Sequence, residues 1–318
     1  MIIRFGFVSH ALSLWNASPA HTTTWAHAKR LSKADRIEKL HQITARNIAH
    51  TKRAVHYCIA HEIELFRFSS SMVPLATHPE AAWDYVTPFK KKWAEIGELV
   101  RNHGIRTSFH PNQFTLFTSE KQDVTDRAVE DLTYHHKMAE AMGLQECRFV
   151  LHVGGTYGDK KTAVRRFTKN INDIPSHLKN RLMIENDDKS YHTNDVLLIC
   201  KKESLPLVFD YHHHVVYPGA EPLEETLPKV LETWESTGLR PKVHLSSPKD
   251  GERSRSHAEG LDTSFVRPFL ETMRQFDTDF DVMIEAKQKD KALLAFMEDI
   301  SKVRGVKRTS GASIEYKK

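Results

Sequence analysis

One pattern repeats along the chain: a short apolar run rich in Val, Ile and Phe, followed by a longer amphipathic stretch. Eight of these runs are predicted to be β-strands, at 2–9, 64–70, 106–111, 148–153, 182–186, 207–213, 242–247 and 281–286. Eight strand-then-helix units exclude a β-sandwich and a helix bundle. They predict a closed (β/α)₈ TIM barrel, with a doubly wound open sheet as the competing arrangement.

The segments between the strands carry helix signals. Ser32 opens a charged run toward His61, and Pro88 lies at a first helical turn. Gly104, Gly143 and Gly238 stand where a left-handed helix cap favours glycine. Further helices are predicted over 123–142, 162–178, 193–202, 223–236, 264–276 and 290–303. No Pro/Gly/Ser-rich linker interrupts the pattern, so residues 1–318 are predicted to form a single domain.

Composition narrows the class of protein. With 40% hydrophobic and 27% charged residues, the chain has an ordinary globular balance that excludes disorder. Its three cysteines form no Cys-x-x-Cys pair and are predicted to be reduced thiols. No signal peptide and no apolar run of about 18 residues is found, which predicts a cytoplasmic protein without membrane association. The net charge of +5 is compatible with an anionic partner such as nucleic acid.

Metal-binding side chains follow the predicted strands. The C-terminal ends of barrel strands meet at one mouth, where TIM-barrel chemistry is built. Six consecutive strands place a His, Asp or Glu there: His110, His152, Glu185, Asp210, His244 and Glu285. Mixed imidazole and carboxylate ligands suit Mn²⁺, Zn²⁺ or Fe²⁺, and a carboxylate can bridge two ions about 3.5–4 Å apart. The sequence therefore predicts a cluster of divalent ions at the mouth.

Each of these residues also has a simpler interpretation. A single buried histidine is more often hydrogen-bonded within the core, and Glu185 or Asp210 could form a buried salt bridge. Taken together, these interpretations would crowd unsatisfied polar groups into one mouth. Lys242 shares a strand face with His244, where an ammonium beside a metal is repelled. It either reaches for a phosphate or is converted to an anion, and the sequence leaves both open.

Six longer strings occur in a fixed order along the chain. They are RFGFVS at 4–9, FSSS at 68–71, SFHPNQF at 108–114, ENDD at 185–188, KVHLSS at 242–247 and EAKQKD at 285–290. Together they closely resemble the bacterial UV damage endonucleases over nearly the whole chain. The resemblance implies a TIM-barrel DNA repair enzyme, similar in architecture to endonuclease IV and the xylose-isomerase-like barrels. It would nick damaged duplex DNA immediately 5′ of cyclobutane dimers and 6-4 photoproducts, leaving a 3′-hydroxyl and a 5′-phosphate.

The resemblance also implies a set of metal ligands for up to three ions, with Mn²⁺ expected and Zn²⁺ or another divalent ion possible. The first ion would take His110, His152 and Glu185, and the second would take Glu185, Asp210, His244 and Glu285. The third would take His213, His257 and Lys242, with Lys242 carboxylated. Glu185, Lys242 and His244 are the expected catalytic residues. His212 and His214 receive no role and are expected to pack in the core or at the rim.

DNA contacts are implied in the same way. In the family a Gln followed by an aromatic residue wedges into the duplex at the lesion, and Gln113-Phe114 match that position, next to Asn112. Some relatives have Tyr at the position of Phe114, so this chain keeps the ring and lacks the hydroxyl. Likewise, Phe7 stands where some relatives have a Tyr in the first loop. Basic residues that follow the strands are expected to contact phosphates, among them Lys160, Arg253 and Lys287.

Two other functions fit a metal-bearing barrel. A sugar isomerase or epimerase would use the same fold with a closed pocket and at most two ions. A non-catalytic DNA-damage binding protein would need no metal cluster, which the many potential ligands argue against. The expected partner is double-stranded UV-damaged DNA, and the sequence indicates no obligate protein partner.

Overall fold

Eight parallel strands close into a barrel in the computed structural model, which describes residues 1–317. Strand β1 pairs in parallel with both β2 and β8, so the sheet has no open edge between them. The (β/α)₈ TIM barrel predicted from the sequence is confirmed. The barrel strands are β1 (Ile2–Val8), β2 (Leu65–Arg67), β3 (Arg106–Phe109), β4 (Arg148–His152), β5 (Leu182–Glu185), β6 (Leu207–Asp210), β7 (Lys242–Leu245) and β8 (Phe280–Ile284).

Helices connect consecutive strands on the outside of the barrel. They are α1 (Trp25–Ala28), α2 (Lys33–Ala60), α3 (Lys90–Asn102), α4 (Gln122–Ala141), α5 (Lys160–Asp173), α6 (Ser176–Lys179), α7 (Thr193–Glu203), α8 (Tyr211–Val216), α9 (Leu223–Glu232), α10 (Thr263–Phe276) and α11 (Lys289–Ile300). Short 3₁₀ turns lie at Thr87–Phe89 and Glu235–Thr237. The three predicted glycine caps are confirmed, since Gly104, Gly143 and Gly238 have φ of 61°, 67° and 66°.

The structure corrects two of the predicted elements and adds a third that was not predicted. The sixth strand ends at Asp210 rather than at residue 213, because the Asp210 carboxylate caps helix α8 by accepting from the His213 N–H at 2.8 Å. The helix predicted over 162–178 is divided into α5 and α6 at Pro175, which cannot continue the helical hydrogen bonds. A C-terminal hairpin of β9 (Val306–Ser310) and β10 (Ser313–Tyr316), not predicted from the sequence, adds to β1 in antiparallel pairing.

The two faces of the strands have different surroundings. Alternate residues Ile3, Phe5 and Phe7 of β1 belong to the main core between the strands and the helices. The other face lines the barrel interior. There Val150, Met183 and Val208 pack on Trp234, and Val8, Leu65 and Met283 form a second apolar cluster. These small clusters fill the interior beneath the mouth.

Two further sequence predictions concern cysteines and membranes. Cys58, Cys147 and Cys200 are free thiols, and all three are buried as predicted. Within residues 1–317, every helix is too short or too polar to cross a lipid bilayer.

Candidate metal centre

The predicted ligands converge at the mouth of the barrel. Their side-chain ligand atoms form three groups, and the atoms of each group lie within 4.8 Å of one another. Glu185 belongs to all three groups. The groups are His110 with His152 and Glu185, Glu185 with Asp210 and His213, and Glu185 with His244 and Glu285.

Glu185, at the end of β5, is the shared member, and it is fully buried. Its Oε2 lies 3.0 Å from His110 Nε2, and its Oε1 lies 2.9 Å from His244 Nδ1. Each carboxylate oxygen of Glu185 is therefore within hydrogen-bond distance of a different imidazole. A carboxylate held in this way is suited to bridging two cations.

Asn186 holds the ends of β5 and β6 in register. Its Nδ2 donates to the Asp210 carbonyl at 3.0 Å, and its Oδ1 accepts from the Asp210 N–H at 2.9 Å. The Asn186 carbonyl lies 2.9 Å from His213 Nδ1. Asn186 thus positions Asp210 through its side-chain amide and His213 through its backbone carbonyl, beside Glu185.

On the other side of the mouth, His244 Nδ1 also lies 3.1 Å from Glu285 Oε1. Arg67, on β2, forms an ion pair with the same Glu285 oxygen. Sequence reasoning missed Arg67. The two-residue strand period, which puts Arg67 on the inward face with Leu65, was the signal that could have found it.

Electrostatics at the mouth favour bound positive charge. Burial raises the pKa of Glu185, but the neighbouring His244 and His152 imidazoles and the hydrogen bond from His110 outweigh it, and the pKa falls well below its usual value. Burial lowers the pKa of His213, yet the Asp210, Glu185 and Glu285 carboxylates outweigh this and raise it to about 9. The Glu185 carboxylate therefore stays ionised and favours bound protons or cations at the mouth.

Unpartnered polar atoms test whether the cluster suits a metal. His152 Nδ1, Asp210 Oδ2 and His244 Nε2 are buried and lack a hydrogen-bond partner in the structure. Such atoms are uncommon in folded proteins unless an ion or water satisfies them. All three belong to predicted ligands, and the imidazole–carboxylate set matches the preference of divalent first-row metals. The residues present therefore fit a divalent metal cluster.

The three predicted ligand sets are assembled to different degrees. The first set, His110 with His152 and Glu185, is brought together. In the second set Glu185, His244 and Glu285 are grouped, whereas Asp210 is grouped with Glu185 and His213. In the third set the His213 and His257 rings lie 6.2 Å apart, and His257 Nδ1 lies 2.7 Å from the Glu285 carbonyl.

Lys242 stands apart from the other two members of the third set. Within residues 1–317, no hydrogen bond or ion pair joins it to His213 or His257. Its buried Nζ instead donates to Ser108 Oγ on β3 at 3.0 Å. Burial, supported by the Arg106 guanidinium, holds the pKa of Lys242 well below its usual value. A neutral amine is the form that can be carboxylated, and carboxylation of Lys242 stays a prediction.

The two histidines without an assigned role are hydrogen-bonded within the protein. His212 is fully buried, with Nδ1 2.7 Å from Ser246 Oγ and Nε2 2.7 Å from the Ser254 carbonyl. His214 Nδ1 lies 3.1 Å from Thr193 Oγ1. Packing is the role expected for both residues from the sequence.

The predicted DNA contacts lie partly at the rim. Gln113 and Phe114 are exposed on the loop after β3, and 73% of Phe114 is accessible. Asn112 Oδ1 accepts from the Phe114 N–H at 2.8 Å and so shapes this loop. The prediction for Phe7 is wrong: it is fully buried, with its ring 5.2 Å from that of Phe66 and 6.1 Å from that of Tyr57. It lies on the outer face of β1, against helix α2, so its ring cannot reach DNA.

The three basic residues predicted to contact phosphates differ in how free their side chains are. Arg253 is exposed in the loop after β7. Lys287 is half-exposed, with Glu259 at 3.9 Å. Lys160 forms an ion pair with Asp195, and its ammonium lies over the rings of Tyr191 and Tyr217 at 5.3 and 5.8 Å. Lys160 is therefore the least free of the three to contact a phosphate.

Comparison with known proteins decides the family. The model of the family described as UV-endonuclease UvdE matches residues 3–317. The chain belongs to the UV-endonuclease UvdE family. Membership of this family makes the protein an endonuclease. It argues against the sugar isomerase or epimerase that the sequence had left as an alternative.

Individual members and structures support this assignment to the UvdE family. The chain is 50% identical over 317 residues to the UV DNA damage endonuclease of Bacillus cereus strain 03BB102, covering 99% of this chain and 100% of that one. The solved structure of SacUVDE superposes with a TM-score of 0.84 at 28% identity, covering 95% of this chain and all of the other. Endonuclease IV from Thermus thermophilus superposes at 0.58 with 15% identity over 94% of this chain and 100% of that one, which shows a shared fold.

Proposed function

We propose that this UvdE-family endonuclease nicks double-stranded DNA immediately 5′ of UV photoproducts, both cyclobutane pyrimidine dimers and 6-4 photoproducts. The products are a 3′-hydroxyl and a 5′-phosphate. The observation that carries the proposal is the sharing of Glu185 among three groups of metal ligands at the mouth of the barrel. A carboxylate common to several ions is the arrangement that clamps a phosphodiester in metal-dependent hydrolysis.

Up to three divalent ions, with Mn²⁺ proposed, would be held by the predicted ligands His110, His152, Glu185, Asp210, His213, Lys242, His244, His257 and Glu285. When bound, such ions lower the pKa of a water molecule and stabilise charge on the attacking and leaving oxygens. The protein positions the ligands. Asn186 fixes Asp210, and Arg67 fixes Glu285. Glu185 and His244 share one hydrogen bond at the centre, and the Lys242 amine lies beneath them.

Selection of damaged DNA is assigned to the exposed loop after β3. A photodimer stacks and pairs poorly, so opening the duplex there costs less than opening intact DNA. Side chains that fill the gap then favour the damaged duplex. Exposed basic residues such as Arg253 and Lys287 would hold the backbone without reading sequence.

Replacing Gln113 and Phe114 together by Ala is expected to reduce the preference for damaged over intact duplex by about tenfold or more, because the side chains that fill the opened gap are lost. Competitive binding of thymine-dimer and intact duplexes measures this preference. Metal content, measured by mass spectrometry, should not change. A variant that discriminates as well as the wild type would contradict the wedge assignment.

A direct test of the proposed reaction uses a duplex that carries one thymine dimer and a label on the damaged strand. With Mn²⁺ we expect one nick immediately 5′ of the dimer, and with chelator we expect none. Extension of the 3′ end by a polymerase and ligation of the 5′ end identify the termini. Binding without a nick would instead support a damage-binding protein, and a nick elsewhere would contradict the proposed position.

A further inference from the structure

Large apolar side chains exposed to solvent are concentrated at the mouth of the barrel. Trp15, Phe114 and Tyr157 are 88%, 73% and 46% accessible, and they follow the C-terminal ends of β1, β3 and β4. These strands run parallel, so the three loops share the rim with the metal ligands. Two other large exposed apolar residues lie elsewhere, Ile2 at the start of β1 and Leu198 on α7. Exposed aromatic rings are thus a feature of the catalytic face.

Trp15 is the most exposed of these residues, and the loop that carries it is held on both sides. Ala11 and Ala17 are buried at either end of its turn. The Asp290 carboxylate accepts from the Leu12 N–H at 2.5 Å and from the Ser13 N–H at 3.2 Å. The loop therefore presents the indole to solvent while its backbone is fastened to the start of α11.

Arg53, on α2, fastens the other side of the same turn. Its guanidinium donates to the Trp15 carbonyl at 2.9 Å and to the Asn16 carbonyl at 3.2 Å. Asn16 itself has a positive φ of 43°. Hydrogen bonds from both sides fix the backbone of this turn, and the indole that it carries is strongly exposed. This combination indicates a binding element that is already ordered before the ligand arrives. The exposed Arg53 guanidinium also adds positive charge at this turn.

We propose that Trp15 stacks on a nucleobase of the DNA substrate beside the photoproduct. The inference rests on the proposed function, because a phosphodiester held at the metal cluster places its neighbouring nucleotides across this rim. An indole face binds any base by stacking, and bases beside a photodimer are the easiest to unstack. Trp15 lies on the β1 loop, so this contact is separate from that of Gln113 and Phe114 on the β3 loop.

The fluorescence of Trp15 can be distinguished from that of the other tryptophans. The sequence has five tryptophans. Trp83, Trp93 and Trp234 are buried, and Trp25 is half-buried against His78 at 4.6 Å between ring centroids. Trp15 is therefore the strongly exposed fluorophore. The difference between wild-type and Trp15→Phe emission isolates it.

The test measures binding of a thymine-dimer duplex in chelator, so that affinity is measured without cleavage. We expect Trp15 emission to be quenched on binding. Trp15→Ala should bind about tenfold more weakly, and Trp15→Leu should resemble it, since Leu is apolar but has no aromatic face. Trp15→Phe should stay within about threefold of the wild type. Leu198→Ala, which removes another strongly exposed apolar side chain from a helix surface, should bind like the wild type.

Two results would overturn the stacking role: wild-type affinity in Trp15→Ala, or wild-type affinity in Trp15→Leu. Unquenched Trp15 emission in the bound complex would overturn it as well. Nicking of the same duplex by the wild type with Mn²⁺ is measured alongside. If the wild type nicks and Trp15→Ala binds normally, only the stacking inference fails. If the wild type neither nicks nor binds, the proposed function fails and the inference fails with it.

Discussion

Replacing Glu185 by Gln is expected to slow incision of a thymine-dimer duplex by about 10³-fold or more. Gln preserves the side-chain volume but turns one oxygen into an amide donor and removes the negative charge. His110 and His244 contact different oxygens of Glu185, at 3.0 and 2.9 Å. In Gln one of these two positions is an NH₂ group, which cannot bind a metal, so either orientation of the amide loses one ligand atom. All three ligand groups lose their common member. Single-turnover incision and metal content by mass spectrometry measure the effect.

A matched control shows whether the effect is specific to the ligand cluster or follows from replacing any glutamate by glutamine. Glu271, on α10, pairs with Arg267 on the surface at 2.6 Å and lies outside the ligand groups. Glu271→Gln should cut at the wild-type rate and bind the same amount of metal. Circular dichroism should show that both variants fold. Wild-type incision and metal content in Glu185→Gln would contradict the shared-carboxylate arrangement.

The barrel itself could be predicted because its signals are local. Each strand is a short apolar run, and each helix has its own start and stop residues. The end of β6 shows where this reasoning stops. Leu207 to Asp210 and the following Tyr211 read as one continuous strand, yet the Asp210 carboxylate turns the chain into α8 by capping it. A short apolar run does not show whether the aspartate at its end will cap a helix.

Phe7 illustrates a second limit. The alternation along β1 divides its residues into two faces, but only pairing with β2 and β8 decides which face points into the barrel. The structure puts Arg4 inside, with its guanidinium on Asp281, and so places Phe7 on the helical side. Phe7 was assigned to DNA from the resemblance alone. A resemblance matches positions in the sequence and carries no information about which face of a strand a side chain occupies.

The candidate metal ligands were predictable to the extent that strand ends converge. His110, His152, Glu185, Asp210, His244 and Glu285 lie at or next to strand ends and fall into ligand groups for this reason, whereas His213 joins its group from helix α8. Lys242 could not be placed in the same way, since it lies two residues earlier on β7 than His244 and so one layer deeper. Its partner Ser108 lies across the barrel on β3, a contact between residues 134 positions apart. Contacts of this kind depend on the whole closed barrel.

Replacing Asp281 by Asn is expected to lower the free energy of unfolding by about 3 kcal/mol or more. Asp281 is fully buried on β8, where it accepts from Arg4 Nε at 2.7 Å and from Arg106 Nη1 at 2.7 Å. The Asn variant leaves two largely buried guanidinium groups without a carboxylate between them. Within residues 1–317, Arg4 then keeps one ion pair, the longer one with the half-exposed Glu64 at 3.4 Å. Urea unfolding in chelator measures the loss without a contribution from bound metal.

The pH dependence of this loss provides its own check. Burial raises the pKa of Asp281, but the hydrogen bond from Arg4 and the charge of Arg106 outweigh it, so the folded pKa lies below its usual value. A depressed pKa stabilises the fold above the unfolded pKa and loses that effect as the pH falls through the folded value. The difference between wild type and Asp281→Asn should therefore be constant from about pH 7 to 5 and shrink below about pH 4. Asp299→Asn, which removes an exposed pair with Lys302 at 2.9 Å, should cost less than about 1 kcal/mol. A loss that small in Asp281→Asn would show that the two arginines do not depend on this carboxylate.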